Sequence, residues 1–97
     1  MGTIIWTNEA QRRLEDIFEY IAVDDISAAR QVVDDIYERA QILKDNPEIG
    51  YRYRVSVRHV RILLYGHYRI TYLAKNSGDV EILGVFHGAL DISKYSI

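Results

Sequence analysis

An acidic first half with helical periodicity, followed by a basic half rich in strand formers, predicts an α+β fold. Apolar residues recur at helical spacing over positions 10–43, while β-branched and aromatic residues crowd positions 51–86. The expected architecture is an N-terminal edge strand and a two-helix hairpin packed on an antiparallel sheet of about four to five strands. The chain has 97 residues, 48% apolar and 27% charged, enough for one two-layer domain over 1–97 and too few for two.

Ile4-Ile5-Trp6-Thr7 is a short apolar run and reads as the edge strand. Asn8 then offers a helix cap, with Gln11 as its capping-box partner. Ala10, Leu14, Ile17, Phe18 and Ile21 make one apolar stripe, with Arg12, Arg13, Glu15, Asp16 and Glu19 on the other face. Val23-Asp24-Asp25-Ile26 interrupts that pattern, and Ser27 is the next cap candidate. Ala29, Val32, Val33, Ile36, Ala40 and Leu43 form a second stripe. It ends at Asp45-Asn46-Pro47-Glu48-Ile49-Gly50, since proline cannot continue a helix and glycine suits a turn. Helices this short are marginal alone in water and need a sheet to cover.

Strands are expected near Arg52–Val57, Val60–Tyr65, Tyr68–Ala74 and Val80–Phe86. Gly66-His67 fits a tight hairpin with glycine first, and Asn76–Asp79 a longer turn. The last two strands are apolar on both faces and belong at the centre. One sheet face packs on the helices; the other is expected to be partly open, carrying Arg69, Thr71 and Leu73 or their pleat partners. The tail Gly88–Ile97 has no clear period.

Net charge is −2, but it is unevenly spread. Residues 1–50 carry 11 acids against 5 bases, and residues 51–97 carry 3 acids against 7 bases. No acid occurs from Ile49 to Gly78, a stretch holding Arg52, Arg54, Arg58, Arg61, Arg69 and Lys75. Such asymmetry points either to an anionic partner or to acidic helices lying on a basic sheet. The absence of cysteine excludes a disulfide framework, a thiolate metal site and a cysteine nucleophile. No run approaches the roughly 18 apolar residues of a membrane span, and residues 1–20 hold no signal-peptide core, so a cytoplasmic protein without membrane contact is expected.

His59, His67 and His87 lack metal-ligand spacing, no serine sits in a nucleophile elbow, and the glycines form no phosphate-cradling loop. Neither a metal nor a cofactor is expected. Phosphodiester cleavage is the chemistry these residue types best permit. Arg61 and Arg69 would carry charge to the phosphate, His87 would move a proton, and Tyr95 would stack on a base or donate a proton. Each also has a structural alternative: Arg69 as an ion-paired strand residue, His87 as a hydrogen-bonded strand end, Tyr95 as a pin for the tail. Tyr68 and Tyr72 share a face with Ile70 and belong to the core.

The order of elements and several motifs resemble the RelE/ParE superfamily of type II toxins over essentially the whole chain. The matching parts are Trp6-Thr7 followed by Ala10 and Leu14, and Ile17 with Tyr20-Ile21-Ala22. They continue with Leu43 to Asn46-Pro47-Glu48-Ile49-Gly50, Tyr68-Arg69-Ile70-Thr71-Tyr72, and Val80–His87 with its V-x-I-L-x-V-x-H pattern. The resemblance implies a toxin neutralised by a cognate antitoxin. One branch cuts mRNA on the ribosome; the ParE, or plasmid-stabilisation, branch inhibits DNA gyrase.

Arg69 matches the phosphate-binding arginine of the nuclease branch, His87 a histidine used by some of its members, and Tyr95 falls at or beside its tail tyrosine. The nuclease lysines seven and nine residues before Arg69 fall at Ile62 and Val60, where a slip of one residue brings in Arg61, and the equivalent of the arginine after the last strand falls near Gly88. The ParE ending, histidine and then x-x-Met-Asp or x-x-Arg-Asp, is closer to His87-Gly88-Ala89-Leu90-Asp91. A net negative chain also lacks the charge that binding rRNA phosphates favours. The resemblance therefore implies a ParE-like gyrase inhibitor, a binding module rather than an enzyme. Arg58, Arg61, Arg69, His87, Asp91 and Tyr95 are its contact candidates. The alternatives are a ribosome-dependent mRNA endoribonuclease using Arg69, His87 and Tyr95, or an inactive homologue that only binds antitoxin. A toxin homodimer within the complex is left open.

Overall fold

The two apolar stripes form α1 (Asn8–Ala22) and α2 (Ile26–Ala40), and a 3-10 turn, Gln41–Lys44, prolongs the second. The strands are β1 (Ile4–Trp6), β2 (Tyr51–Arg52), β3 (Val60–Tyr65), β4 (Tyr68–Ala74) and β5 (Val80–His87), and a last 3-10 turn spans Ile92–Lys94. The computed structural model describes residues 2–54, 58–88, 90 and 92–95. No helix among them is long and apolar enough to cross a membrane.

The strands form one sheet in the order β1-β5-β4-β3-β2. The sheet is mixed rather than wholly antiparallel, because β1 pairs parallel with β5 at Ile4↔Val80, Ile5↔Glu81 and Trp6↔Ile82. The helix pair carries the chain across to the far edge. The strands then return one by one, and the last arrives beside β1 running the same way. β4 and β5 are interior, as their two apolar faces require. The strand expected over Arg52–Val57 is only Tyr51–Arg52, although Tyr53 N–H still reaches Val60 O at 2.9 Å. Val55, Ser56 and Val57 lie outside the described residues.

Both expected caps shift. Thr7, not Asn8, caps α1: its Oγ1 accepts from Ala10 N–H at 3.1 Å, and its hydroxyl donates to Ile82 O at 2.8 Å. A residue still bonded to β5 is held extended, which is what an N-cap needs. Asp25, not Ser27, caps α2 by accepting from Ala28 N–H at 3.0 Å.

Ala10, Leu14, Ile36, Ala40 and Leu43 pack on Leu63, Ile70, Tyr72, Val80, Ile82 and Val85, forming the main core between helices and sheet. A bulge in the β4–β5 ladder, where Thr71 pairs with Gly84 and Tyr72 with Ile82, turns both Ile82 and Val85 toward the helices. Phe86 then faces the other way. The second sheet face is covered in its middle and open at Leu64, which is 52% exposed. Ile62, Phe86 and Ile92 bury one another there with Tyr53 and Tyr95, and Thr71 is fully buried with its hydroxyl on Gly84 O. The patternless tail is thus a short cover over an otherwise bare sheet.

Gly66 alone of the two hairpin residues has positive φ, 55°, as a glycine-first turn requires. Gly50 is constrained differently. Its N–H donates to the Tyr72 hydroxyl at 2.9 Å, and a Cβ there would lie 2.7 Å from both Ile62 O and that hydroxyl. Tyr72 is completely buried, and burial raises its pKa. Gly50→Ala should cost about 1–3 kcal/mol from overpacking. Tyr72→Phe, which strands the buried Gly50 N–H, should also cost about 1–3 kcal/mol. Urea denaturation measures both.

Asp79 fastens the start of β1. Its Oδ1 accepts from Thr3 N–H and Thr3 Oγ1–H, both at 2.9 Å, and Ser77 donates to Oδ2. The Thr3 amide, then the Thr3 and Ser77 hydroxyls, hold its carboxyl below the usual carboxylate range. A depressed folded-state pKa gives stability that is present above the unfolded value of about 3.9 and lost as pH falls through the folded value. Asp79→Asn should therefore flatten the acid limb of a pH–stability curve below about pH 4. A curve as steep as the wild type's would show that this carboxylate does not contribute.

Candidate functional site

The β4–β5 ladder places the candidate residues by register. Tyr68 faces His87 across the ladder, and Arg69 faces Phe86. Tyr68, Ile70 and Tyr72 point toward the helices; Arg69 shares the opposite face with Phe86. His87 and Arg69 therefore stand on different faces of the sheet.

Arg69 is half-buried and makes no ion pair with the described residues. Its Nη2 donates to Gly88 O at 3.3 Å and to Leu90 O, while Nε is buried without a hydrogen-bond partner among the described residues. Its work is to fasten the chain leaving β5. Tyr95 completes the fastening: its ring packs 5.1 Å from Phe86, and the Arg13 guanidinium lies 4.6 Å from the Tyr95 ring centre and 5.2 Å from that of Phe86. Arg13 is oriented from behind by Glu9 at 2.9 Å.

His87 is exposed at the end of β5. The Tyr68 ring meets it edge-on at 5.4 Å, and the His67 imidazole lies nearly parallel at 6.1 Å. Gly88 N–H donates to His67 O, which ties the hairpin turn to the strand end. Burial raises the Tyr68 pKa, so its phenol stays protonated at neutral pH. Arg61 sits farther along the sheet, opposite Tyr72, and donates to Gly50 O at 2.7 Å and Glu48 O at 3.2 Å. Arg58 is exposed, and Asp91 lies outside the described residues. The structure thus joins Arg69 with Tyr95 beneath the C-terminal turn, places His87 with His67 and Tyr68 around the rim, and sets Arg61 apart. Among the described residues no group of three or more His, Cys, Asp or Glu is arranged to hold a metal ion.

Two depressions adjoin His87. One, about 430 Å³, runs between α1 and the strand ends and is mostly apolar, lined by Arg13, Asp16, Ile17, Tyr20, Ile21, Tyr68, Val85, His87 and Leu90. Tyr20, on its border, is 84% exposed, as is Val23 beyond the helix end. The other, about 310 Å³, lies at the hairpin rim among Leu64, His67, Arg69, His87 and Gly88. Arg13, Tyr20 and His67 were not singled out as site residues from sequence. For Tyr20 the available signal was a tyrosine beside the apolar stripe of an otherwise polar helix face. Nothing local marked the other two, whose neighbours come from distant segments.

The fold is shared with solved toxin-antitoxin structures. A structure described as a chromosomal ParDE system from P. aeruginosa superimposes with a TM-score of 0.73 at 23% identity, covering 90% of this chain and 96% of that one. The RelBE2 toxin-antitoxin complex of Mycobacterium tuberculosis gives 0.70 at 22% identity, covering 89% and 96%. In sequence, a Sinorhizobium fredii (strain NBRC 101917 / NGR234) protein named "Putative toxin Y4kP" is 39% identical over 84 residues, 87% of this chain and 85% of that protein. The family model described as the ParE toxin of the type II toxin-antitoxin system parDE matches residues 4–92. Fold and sequence together define a toxin of the RelE/ParE superfamily. Within it, the chain belongs to the ParE toxin family.

If Arg69 fastens the C-terminal turn, Arg69→Ala should speed hydrogen exchange at the Tyr95 amide, which bonds Ile92 O, about tenfold or more. The β3–β4 amides should keep their protection. Arg69→Lys should behave much like alanine, since an ammonium lacks the planar fork that spans two carbonyls. Unchanged exchange at Tyr95 would show that the turn is held without Arg69.

Proposed function

We propose that this toxin acts on DNA gyrase as a binding module and does not cleave RNA. The observation that carries the reading is the divided placement of the nuclease candidates. Cleavage needs a cation on the phosphate and an acid and base on either side of it, all within hydrogen-bond reach of one phosphodiester. Here Arg69 and His87 border one depression at the hairpin rim, but the Arg69 guanidinium is engaged by the Gly88 and Leu90 carbonyls and the Tyr95 ring is pressed on Phe86 outside that depression, so the three are not presented together. The match to the ParE family model over 4–92 supports the same side of the superfamily.

A cognate antitoxin is the second partner, in keeping with the toxin-antitoxin complexes that share this fold. The groove between α1 and the strand ends suits an amphipathic segment that folds on binding, with apolar groups against Ile17, Tyr20 and Val85. Arg58, Arg61, Arg69, His87, Asp91 and Tyr95 remain the proposed target-contact region, in the cytoplasm, with Arg69 and Tyr95 acting by shaping it.

Pulse labelling after induction without antitoxin tests the target. DNA synthesis should stop before protein synthesis, and purified toxin should inhibit supercoiling by gyrase. An Arg69→Ala, His87→Ala double variant that leaves mRNA intact in both backgrounds is consistent with this. Prompt arrest of translation, relieved by the same variant, would move the toxin to the nuclease branch.

A further inference from the structure

The structure disposes of half of the cations in the acid-free stretch from Ile49 to Gly78. Arg61 bonds Glu48 O and Gly50 O, Arg69 bonds Gly88 O and Leu90 O, and Lys75 pairs with Glu81 at 3.3 Å. Arg52 and Arg54 are exposed and make no hydrogen bond or ion pair with the described residues. Both sit at the outer edge of the sheet, on β2 and just after it. Arg52 lies directly across the ladder from Arg61.

Like charges facing each other across strands destabilise a sheet. The partners of Arg61 are neutral carbonyls, so its positive charge is undiminished and adds to that of Arg52. Tyr53 N–H bonds Val60 O, which holds the chain against β3 one residue past β2, and Arg54 follows in a turn. Arg52 and Arg54 are two residues apart, so their Cα atoms lie within about 7 Å of each other, comparable to the separation of neighbouring phosphates along a nucleic-acid strand. Half-exposed Tyr51 borders them. Most of the acids lie on α1, α2 and the turn between them; Asp45 and Glu48, in the loop before β2, are the acids nearest in sequence to this edge, against its Arg52, Arg54 and Arg61.

We infer that the edge carrying Arg52, Arg54 and Arg61 is a docking surface for the phosphate backbone of duplex DNA. The inference rests on the gyrase reading, which puts DNA beside the toxin on its target. The edge gives register-independent charge contacts and no base readout, since no element here enters a groove.

The test is fluorescence anisotropy of the purified chain on a labelled duplex of about 20 base pairs, with salt raised from about 50 to 200 mM. Binding should weaken steeply with salt. Arg52→Ala with Arg54→Ala should lower affinity about tenfold or more and reduce the slope of log K against log salt by about 2. Arg52→Lys with Arg54→Lys should retain binding within about threefold, because a point charge serves a phosphate. Arg12→Ala, on the acidic helical face, should change nothing. Both positions are exposed, and an unchanged thermal transition confirms that the variants fold. No salt-dependent binding, affinity indifferent to the double alanine variant, or tighter binding to single-stranded RNA of equal length would each overturn the inference. The duplex assay contains no gyrase. Its failure removes this surface and leaves the gyrase reading standing, whereas normal supercoiling with excess toxin does the reverse.

Discussion

A two-residue edge strand cannot by itself hold the loop that leads into it; the contact between Gly50 and the Tyr72 hydroxyl does so here. Tyr72 lies on the interior strand β4, fully buried, and its oxygen accepts the Gly50 amide at 2.9 Å. Arg61 closes over the same turn by taking Gly50 O. One glycine thus has its donor and its acceptor both satisfied by side chains from neighbouring strands. Because no Cβ fits there, the position is closed to other residues without movement of Tyr72 or β3. The sequence motif ending in Gly50 and the strand motif ending in Tyr72 are two halves of one contact, which explains why both occur in one chain.

Arginines repeat that device. Arg39 Nε donates to Leu64 O on the far side of β3, Arg61 to the loop before β2, and Arg69 to the segment after β5. A guanidinium has five donors in a fixed plane and can bridge carbonyls that no strand pairs. This matters in a sheet whose edge strands have three and two residues, since unpaired backbone groups there need partners. A carbonyl satisfies hydrogen bonds without cancelling charge. The sheet half therefore remains electrically positive although several of its arginines are structurally engaged.

Periodicity made the helices, β3, β4 and β5 legible, because each buries a face against a partner with a fixed repeat. What escaped was set by contacts between distant segments. Thr7 rather than Asn8 caps α1 because Ile82 O holds its hydroxyl, a constraint 75 residues away in sequence. The parallel pairing of β1 follows from the path of the helix pair, which apolar pattern does not encode. Arg13 reads as one more charge on a polar helix face until Phe86 and Tyr95 are brought against it. The candidate site was legible as a set of residue types and not as a constellation. Alternation along β4 and β5 does put Arg69 and His87 on opposite faces, but only once the ladder register and its bulge are known.

The same clamps bear on what the molecule can do. A hydrolytic site needs polar groups that are poised but unspent; here Tyr72 is spent on Gly50, Thr71 on Gly84, and the Arg69 Nη2 on the C-terminal turn. At the surface are an apolar groove beside α1 with Tyr20 and Leu90 on its border, a depression among His67, Arg69 and His87, and, at the opposite edge of the sheet, Arg52 and Arg54, which pair with none of the described residues. Apolar grooves and charged edges act by occupancy, not by proton transfer. On the proposed reading such a toxin works by where it sits, and the groove and the basic edge lie apart in the sheet order, at β5 and β2. Neutralisation by an antitoxin held in the groove would then require either that it extend across the sheet to the basic edge, or that the groove itself be part of what the target must reach.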